Sequence, residues 1–185
     1  MDSTKKRPVA RVFKGLTQTG AHIVLGNRRW LRRLLIEFAH KHKPRHILEI
    51  GRGKPIKDSY PYSMKPLFPG ANFRMTDIVP DYGHEVVDIT AMTYQQEFDA
   101  ILCISVLEHI AEPLEATQRM FDALRDGGVA VVATPFAYPM HDEPADYWRF
   151  TEHGLRLVMS PFPEVTIRYR GPRKLPTGIC AFARR

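Results

Sequence analysis

His46-Ile47-Leu48-Glu49-Ile50-Gly51-Arg52-Gly53-Lys54 is the stretch on which the reading of this chain turns. An apolar strand carries an acid near its end and runs straight into Gly-x-Gly. Glycine lets backbone approach a ligand closely and take turn conformations that a Cβ forbids. At the carboxyl end of the first strand of an α/β sheet, that turn is where an adenosine-containing cofactor sits. The dinucleotide fingerprint needs a third glycine at position 56, and the chain has Ile56 there. A pyrophosphate cradle is therefore disfavoured. What remains is a nucleoside cofactor without a pyrophosphate, of which S-adenosylmethionine is the common case.

Working outward, Ala71 to Met75 forms a second apolar stretch that closes with Thr76-Asp77, about where a ribose-binding acid belongs. A carboxylate there accepts hydrogen bonds from both ribose hydroxyls. Val86-Val87-Asp88-Ile89 is a third short apolar run with an acid at its end. Phe98 to Ser105 reads as a buried central strand. Val106-Leu107-Glu108-His109-Ile110 then opens a helical stretch to about Arg125, followed by the turn Asp126-Gly127-Gly128 and the strand Val129 to Thr134. Strands alternating with helices predict a parallel sheet covered on both sides. After Pro161 and Pro163, Val165 to Tyr169 and Thr177 to Ala183 read as two final strands.

In this ordered combination the chain resembles the class I S-adenosylmethionine-dependent methyltransferases, in particular the type 11 methyltransferase-domain group. The resemblance rests on Leu48 to Gly53, Asp77, Asp88-Ile89, Phe98-Asp99-Ala100 with Val106 to Ile110, and Asp126-Gly127-Gly128. Tyr138-Pro139-Met140-His141, then Asp146 to Thr151 and Gly154-Leu155, looks like a subgroup met among sugar, lipid and secondary-metabolite methyltransferases. It covers roughly residues 44 to 160. It implies a Rossmann-like three-layer α/β sandwich, with a mostly parallel seven-stranded sheet whose last strands pair as an antiparallel hairpin at the edge. It also implies cofactor contacts from Glu49, Gly51, Arg52, Gly53, Asp77, Ile78, Asp88 and Ile89, and from Ser105, Glu108 and His109 near the methionine end. One departure stands out. Pro55, Pro61, Pro66 and Pro69 interrupt the usual helix after the glycine turn, since proline breaks helix interiors. Only short helical pieces are expected there.

With 185 residues, 44% hydrophobic and 25% charged, the chain has the size and composition of one globular domain with a proper core. It has no apolar run of about 18 residues, so no membrane span is expected. Met1 to Pro8 is polar and basic and lacks the apolar core of a secretory signal. Cys103 and Cys180 lack metal spacing and read as buried free thiols of a reducing compartment, which points to the cytoplasm.

Charge is uneven. Residues 1–46 hold 12 Lys or Arg against Asp2 and Glu37, a balance of +10, while the remainder of the chain balances at −3. A basic extension either docks an anionic partner or is simply a solvated face and tail. Residues 1–43 thus read as a basic segment with one amphipathic helix, and 44–185 as the methyltransferase domain. The first 15 or so residues are expected to be poorly ordered. Asn27 is a plausible N-cap for a helix to about Lys41, with Trp30, Leu31, Leu34, Leu35 and Phe38 on one face.

Methyl transfer asks little of the protein, because the sulfonium already activates the methyl group. Alignment of the acceptor supplies much of the rate, and an oxygen acceptor gains from a general base. His141 is the best base by its ordinary pKa, the other reading being a histidine that fixes its loop. Tyr147 and Trp148 either wall the acceptor or join the core, the core being the commoner fate. His141-Asp142-Glu143 does not read as a metal site, because adjacent residues point apart and no second ligand cluster accompanies them. The acceptor expected is a small molecule, sugar or lipid-linked group. The alternatives are an RNA- or ribosome-associated methyltransferase anchored by the basic segment, or a non-catalytic cofactor-binding protein.

Overall fold

The computed structural model describes residues 18–53 and 64–185. Its seven strands are β1 (His46–Ile50), β2 (Asn72–Asp77), β3 (Glu85–Val86), β4 (Phe98–Ile104), β5 (Leu124–Pro135), β6 (Glu164–Arg170) and β7 (Gly178–Arg184). They form one sheet in the order β3-β2-β1-β4-β5-β7-β6. Neighbours run parallel from β3 to β5, and β7 alone is reversed, pairing antiparallel with both β5 and β6. The expected Rossmann-like sheet and its edge hairpin are both present.

Side chains alternate between the faces of a strand, and here both faces are buried. Leu48, Ile50, Ile101, Cys103, Ala130 and Val132 face one cluster, covered by α2 (Pro113–Ala123) and α3 (Glu152–Val158) through Ala116, Met120 and Leu155. Ile47, Ala100, Leu102, Val129 and Val131 face the other, covered by α1 (Gln18–His42) through Leu31, Leu35 and Phe38. A strand buried on both faces needs a near-continuous apolar run, which is why β4 and β5 lack polar alternation. Three layers result. Cys103 and Cys180 are both fully buried free thiols, and burial pushes each well above its ordinary pKa.

Several expectations are corrected. α1 starts at Gln18, so Asn27 lies inside the helix and caps nothing. Its amide instead donates to the Thr177 carbonyl at 2.9 Å, and its Oδ1 accepts from Arg170 Nη1 and Thr177 Oγ1 at 3.0 Å each. The helical stretch after β4 is broken: Leu107–His109 is a single 3-10 turn, and α2 begins only at Pro113, a residue suited to a first helical turn. Asp126-Gly127-Gly128 lies within β5 as an irregularity, the register jumping from Phe98↔Leu124 to Ala100↔Val129. Around Pro66 a 3-10 turn, Lys65–Leu67, is formed. Pro55 and Pro61, like the amino-terminal 17 residues, lie outside the described residues. No helix among the described residues is long and apolar enough to cross a membrane.

Chain order reverses between β1 and β4, which pair directly with Ile50 opposite Cys103. In open α/β sheets ligands collect outside the carboxyl ends of the strands at such a switch.

Candidate active site

The turn leaving β1 sits at that switch. Gly51 has φ +66°, and a Cβ there would drive into the side chain of Val106, which begins the segment after β4. Gly53 has φ +72°, but nothing described lies within 4 Å of where its Cβ would be. One glycine is needed for packing, and the other faces open space among the described residues. The turn is tied to β2: Arg52 N–H donates to the Thr76 carbonyl at 3.0 Å, and Gly53 N–H donates to Asp77 Oδ2 at 2.7 Å. Asp77 Oδ1 accepts from Val79 N–H at 3.0 Å. Among the described residues each carboxylate oxygen thus accepts one bond and keeps a lone pair for a further donor. Glu49, buried in β1, accepts from Met64 N–H at 2.9 Å and so pins the far end of the segment that follows the glycines.

Beside Asp77, Ile78 is 61% exposed although it immediately follows a buried strand. A large apolar side chain exposed beside an acid suits the flat face of a base over a ribose. Asp88 Oδ1 accepts from the backbone and hydroxyl of Thr90 at 2.8 and 2.7 Å, capping a turn, and Ile89 is buried. Ser105 has a positive φ and donates its N–H to the Ala133 carbonyl at 2.8 Å, fixing the exit from β4 next to β5.

The 3-10 turn after β4 carries Glu108 and His109, and the segment from Tyr138 to Arg149 folds over it. Tyr147 and Trp148 N–H groups donate to the Glu108 carbonyl at 2.9 and 3.1 Å. Glu108 is fully buried, and neither carboxylate oxygen has a hydrogen-bond partner among the described residues. Burial pushes its carboxyl up to about 8. His109 Nε2 and His141 Nε2 each lie 4.0 Å from Glu108 Oε1, and the two imidazoles meet edge to face with centroids 4.8 Å apart.

The tautomers follow from the partners. His109 Nδ1 is 2.7 Å from the Ala145 carbonyl, which only accepts, so Nδ1 carries a proton. His141 Nδ1 faces the Pro139 carbonyl and Asp146 Oδ2, both at 3.3 Å, which assigns it the same tautomer. Asp146 is held ionised by its fork with Arg149, both contacts 2.7 Å, and its pKa is far below the usual carboxylate range. Burial keeps His141 below its ordinary pKa, so near neutrality its ring is uncharged.

The predicted residues therefore fall into two groups. Glu49, Gly51, Arg52, Gly53, Asp77 and Ile78 gather at the glycine turn, and Glu108, His109 and His141 gather under the 138–149 segment; the Gly51–Val106 contact joins them. The expectation that His141 has no metal-ligand partners holds for its neighbours in sequence but not for its neighbours in space. Asp142 and Glu143 are exposed, whereas the fold brings Glu108 and His109 to His141 from another element. Tyr147 and Trp148 are 52% and 41% exposed, which corrects the core reading; the buried aromatic of that segment is Phe150, against which Trp148 stacks. Thr134, at the end of β5, was not singled out, yet its hydroxyl is buried without a described partner. Its only sequence signal is a hydroxyl closing an apolar strand.

A family model described as a methyltransferase domain matches residues 25–168. Over 53 residues the chain is 36% identical to a ubiquinone biosynthesis O-methyltransferase of Psychrobacter cryohalolentis, 29% of this chain and 21% of that protein. The match thus spans about a fifth of that relative's length. Among solved structures, an S-adenosylmethionine-dependent methyltransferase from Archaeoglobus fulgidus aligns with TM-score 0.63 at 13% identity, covering 96% of this chain and 98% of that one. A Burkholderia thailandensis 1,6-didemethyltoxoflavin-N1-methyltransferase, solved with 1,6-didemethyltoxoflavin and S-adenosylhomocysteine, aligns with TM-score 0.59 at 19% identity over 100% and 93% of the two chains. At these identities the likeness carries the fold.

Proposed function

The chain belongs to the methyltransferase-domain family, and we propose that it transfers the methyl group of S-adenosylmethionine to a hydroxyl of a small-molecule acceptor. The observation that carries this reading is the pairing of the two groups just described: a glycine turn held by Asp77, joined through Gly51 and Val106 to a buried Glu108 faced by two histidines.

The residues fit the cofactor. Among the described residues the space beyond Gly53 is open and Asp77 accepts one bond on each oxygen, leaving capacity for ribose hydroxyls, and Ile78 is exposed to receive an adenine face. Bound there, S-adenosylmethionine supplies a methyl group that bonds to the acceptor as its carbon–sulfur bond breaks, the electron pair staying on sulfur. The protein's part is positioning and proton control. Asp77 and the Gly51–Gly53 turn hold the nucleoside end. Met140, Tyr147 and Trp148 present apolar surface beside the cluster to seat the acceptor and displace water. Glu108, His109 and His141 converge where the acceptor's hydroxyl is activated. A small-molecule acceptor is favoured by the partial match to a ubiquinone biosynthesis O-methyltransferase and by the toxoflavin-type ligand of the Burkholderia neighbour.

Calorimetry with S-adenosylhomocysteine tests the reading directly. Micromolar binding is expected, and Asp77→Ala should weaken it at least tenfold, since each charge-assisted bond is worth about 1.5–3 kcal/mol. A folded protein with no measurable affinity at millimolar ligand rejects the assignment. The acceptor can then be traced by incubating cell extract with methyl-labelled cofactor.

A further inference from the structure

We propose that Glu108, His109 and His141 form a binding site for a divalent first-row transition ion of the Zn²⁺ type, seated beside the acceptor position. The ligand atoms are Glu108 Oε1 and the two Nε2 nitrogens, all within 4.8 Å of one another.

Three features converge on an ion. Both histidine Nδ1 atoms face oxygen acceptors, which aims both Nε2 nitrogens at the Glu108 carboxyl, each 4.0 Å from Oε1. Glu108 is fully buried with both oxygens unpartnered among the described residues, and an ion there would supply the partner they lack. The outer contacts are those that orient metal-binding imidazoles, a carbonyl behind His109 and the Arg149-anchored carboxylate of Asp146 behind His141. With metal–ligand bonds of about 2.0–2.2 Å, an ion draws the three atoms together by well under an ångström each. Two imidazoles and one carboxylate suit Zn²⁺, Fe²⁺ or Co²⁺ better than Mg²⁺ or Ca²⁺, which prefer oxygen ligands.

Three protein ligands leave a coordination position open. On the methyltransferase reading, that position takes the acceptor's hydroxyl oxygen. Coordination acidifies it, so the O–H proton passes to solvent water and the electron pair stays on oxygen. His141 is then a metal ligand, and the base role expected of it from its ordinary pKa is not needed.

The test strips the full chain with a chelator and titrates it with Zn²⁺ by calorimetry and with Co²⁺ by absorption. One ion per chain is expected, with a Co²⁺ d–d band of low coordination number. His141→Ala and Glu108→Gln should each weaken uptake at least tenfold, and Asp146→Asn by about 10- to 100-fold through the histidine it orients. His141 lies on a partly exposed segment, so its variant is expected to fold even if Glu108→Gln does not. No uptake of either ion, or uptake indifferent to His141→Ala, overturns the site. Because S-adenosylhomocysteine binding is measured separately, failure of the ion with retained nucleoside binding condemns only the metal site. The reverse result condemns the cofactor assignment.

Discussion

Gly51 and Gly53 share a turn and a positive φ but differ in what surrounds them. At Gly51 an added methyl meets Val106 in a backbone region L-residues avoid, so Gly51→Ala should lower unfolding stability by about 1–3 kcal/mol, read by thermal denaturation. At Gly53 the positive φ opposes the change at about 1–2 kcal/mol, and the methyl meets nothing within 4 Å among the described residues. Gly53→Ala should therefore cost proportionally more S-adenosylhomocysteine affinity than stability; equal affinity for wild type and variant would place the ligand elsewhere. The Gly-x-Gly turn itself was legible in sequence because it is local. The reason for Gly51 was not, since Val106 lies three strands further along the chain and reaches it through the β1–β4 pairing. The same holds for His141, whose partners Glu108 and His109 come from the turn after β4.

Elements were easier to place than their ends. β1, β4 and β5 announce themselves by apolar runs, whereas α1 was started nine residues late because Asn27 looks like a cap. What decides the role of Asn27 is the β6–β7 hairpin, and no local pattern encodes that contact. Asn27→Ala should remove three hydrogen bonds to Arg170 and Thr177 and cost about 1–3 kcal/mol in denaturant unfolding. A second staple joins the amino-terminal ends of β1 and β4. Asp99 accepts from Arg45 and His46 N–H groups at 2.9 and 2.8 Å. Burial alone raises its pKa, but these donors with Arg125 outweigh it and hold the carboxyl below its ordinary value. A depressed folded pKa contributes stability that is present above the unfolded carboxyl pKa and lost as pH falls through the folded one. Asp99→Ala should thus be less stable than wild type at neutral pH, with the gap closing in acid; a gap independent of pH would mean the charge is irrelevant.

At the scale of the molecule, the seven-stranded order could be anticipated from the alternation of strands and helices, and the two-sided burial from the absence of polar alternation in β4 and β5. The sheet is not uniformly robust. β3 is two exposed residues at one edge, while β4 is flanked by β1 and β5 and covered on both faces. Hydrogen exchange should be slowest in 100–103 and 129–133 and early in 85–86; uniform protection would contradict this gradient. Of the two fully buried thiols, Cys103 lies in that slow centre on β4, and Cys180 on β7 pairs with its edge opposite Ala133. A thiol reagent in solution reaches neither until the sheet opens, so the chain carries a chemical clock for its own opening. Where reclosing outpaces labelling, any molecule that binds only the closed form slows that clock by a factor of 1 + [L]/Kd. Screening candidate acceptors, nucleosides and ions thus needs no turnover assay, only the rate at which two cysteines become reactive.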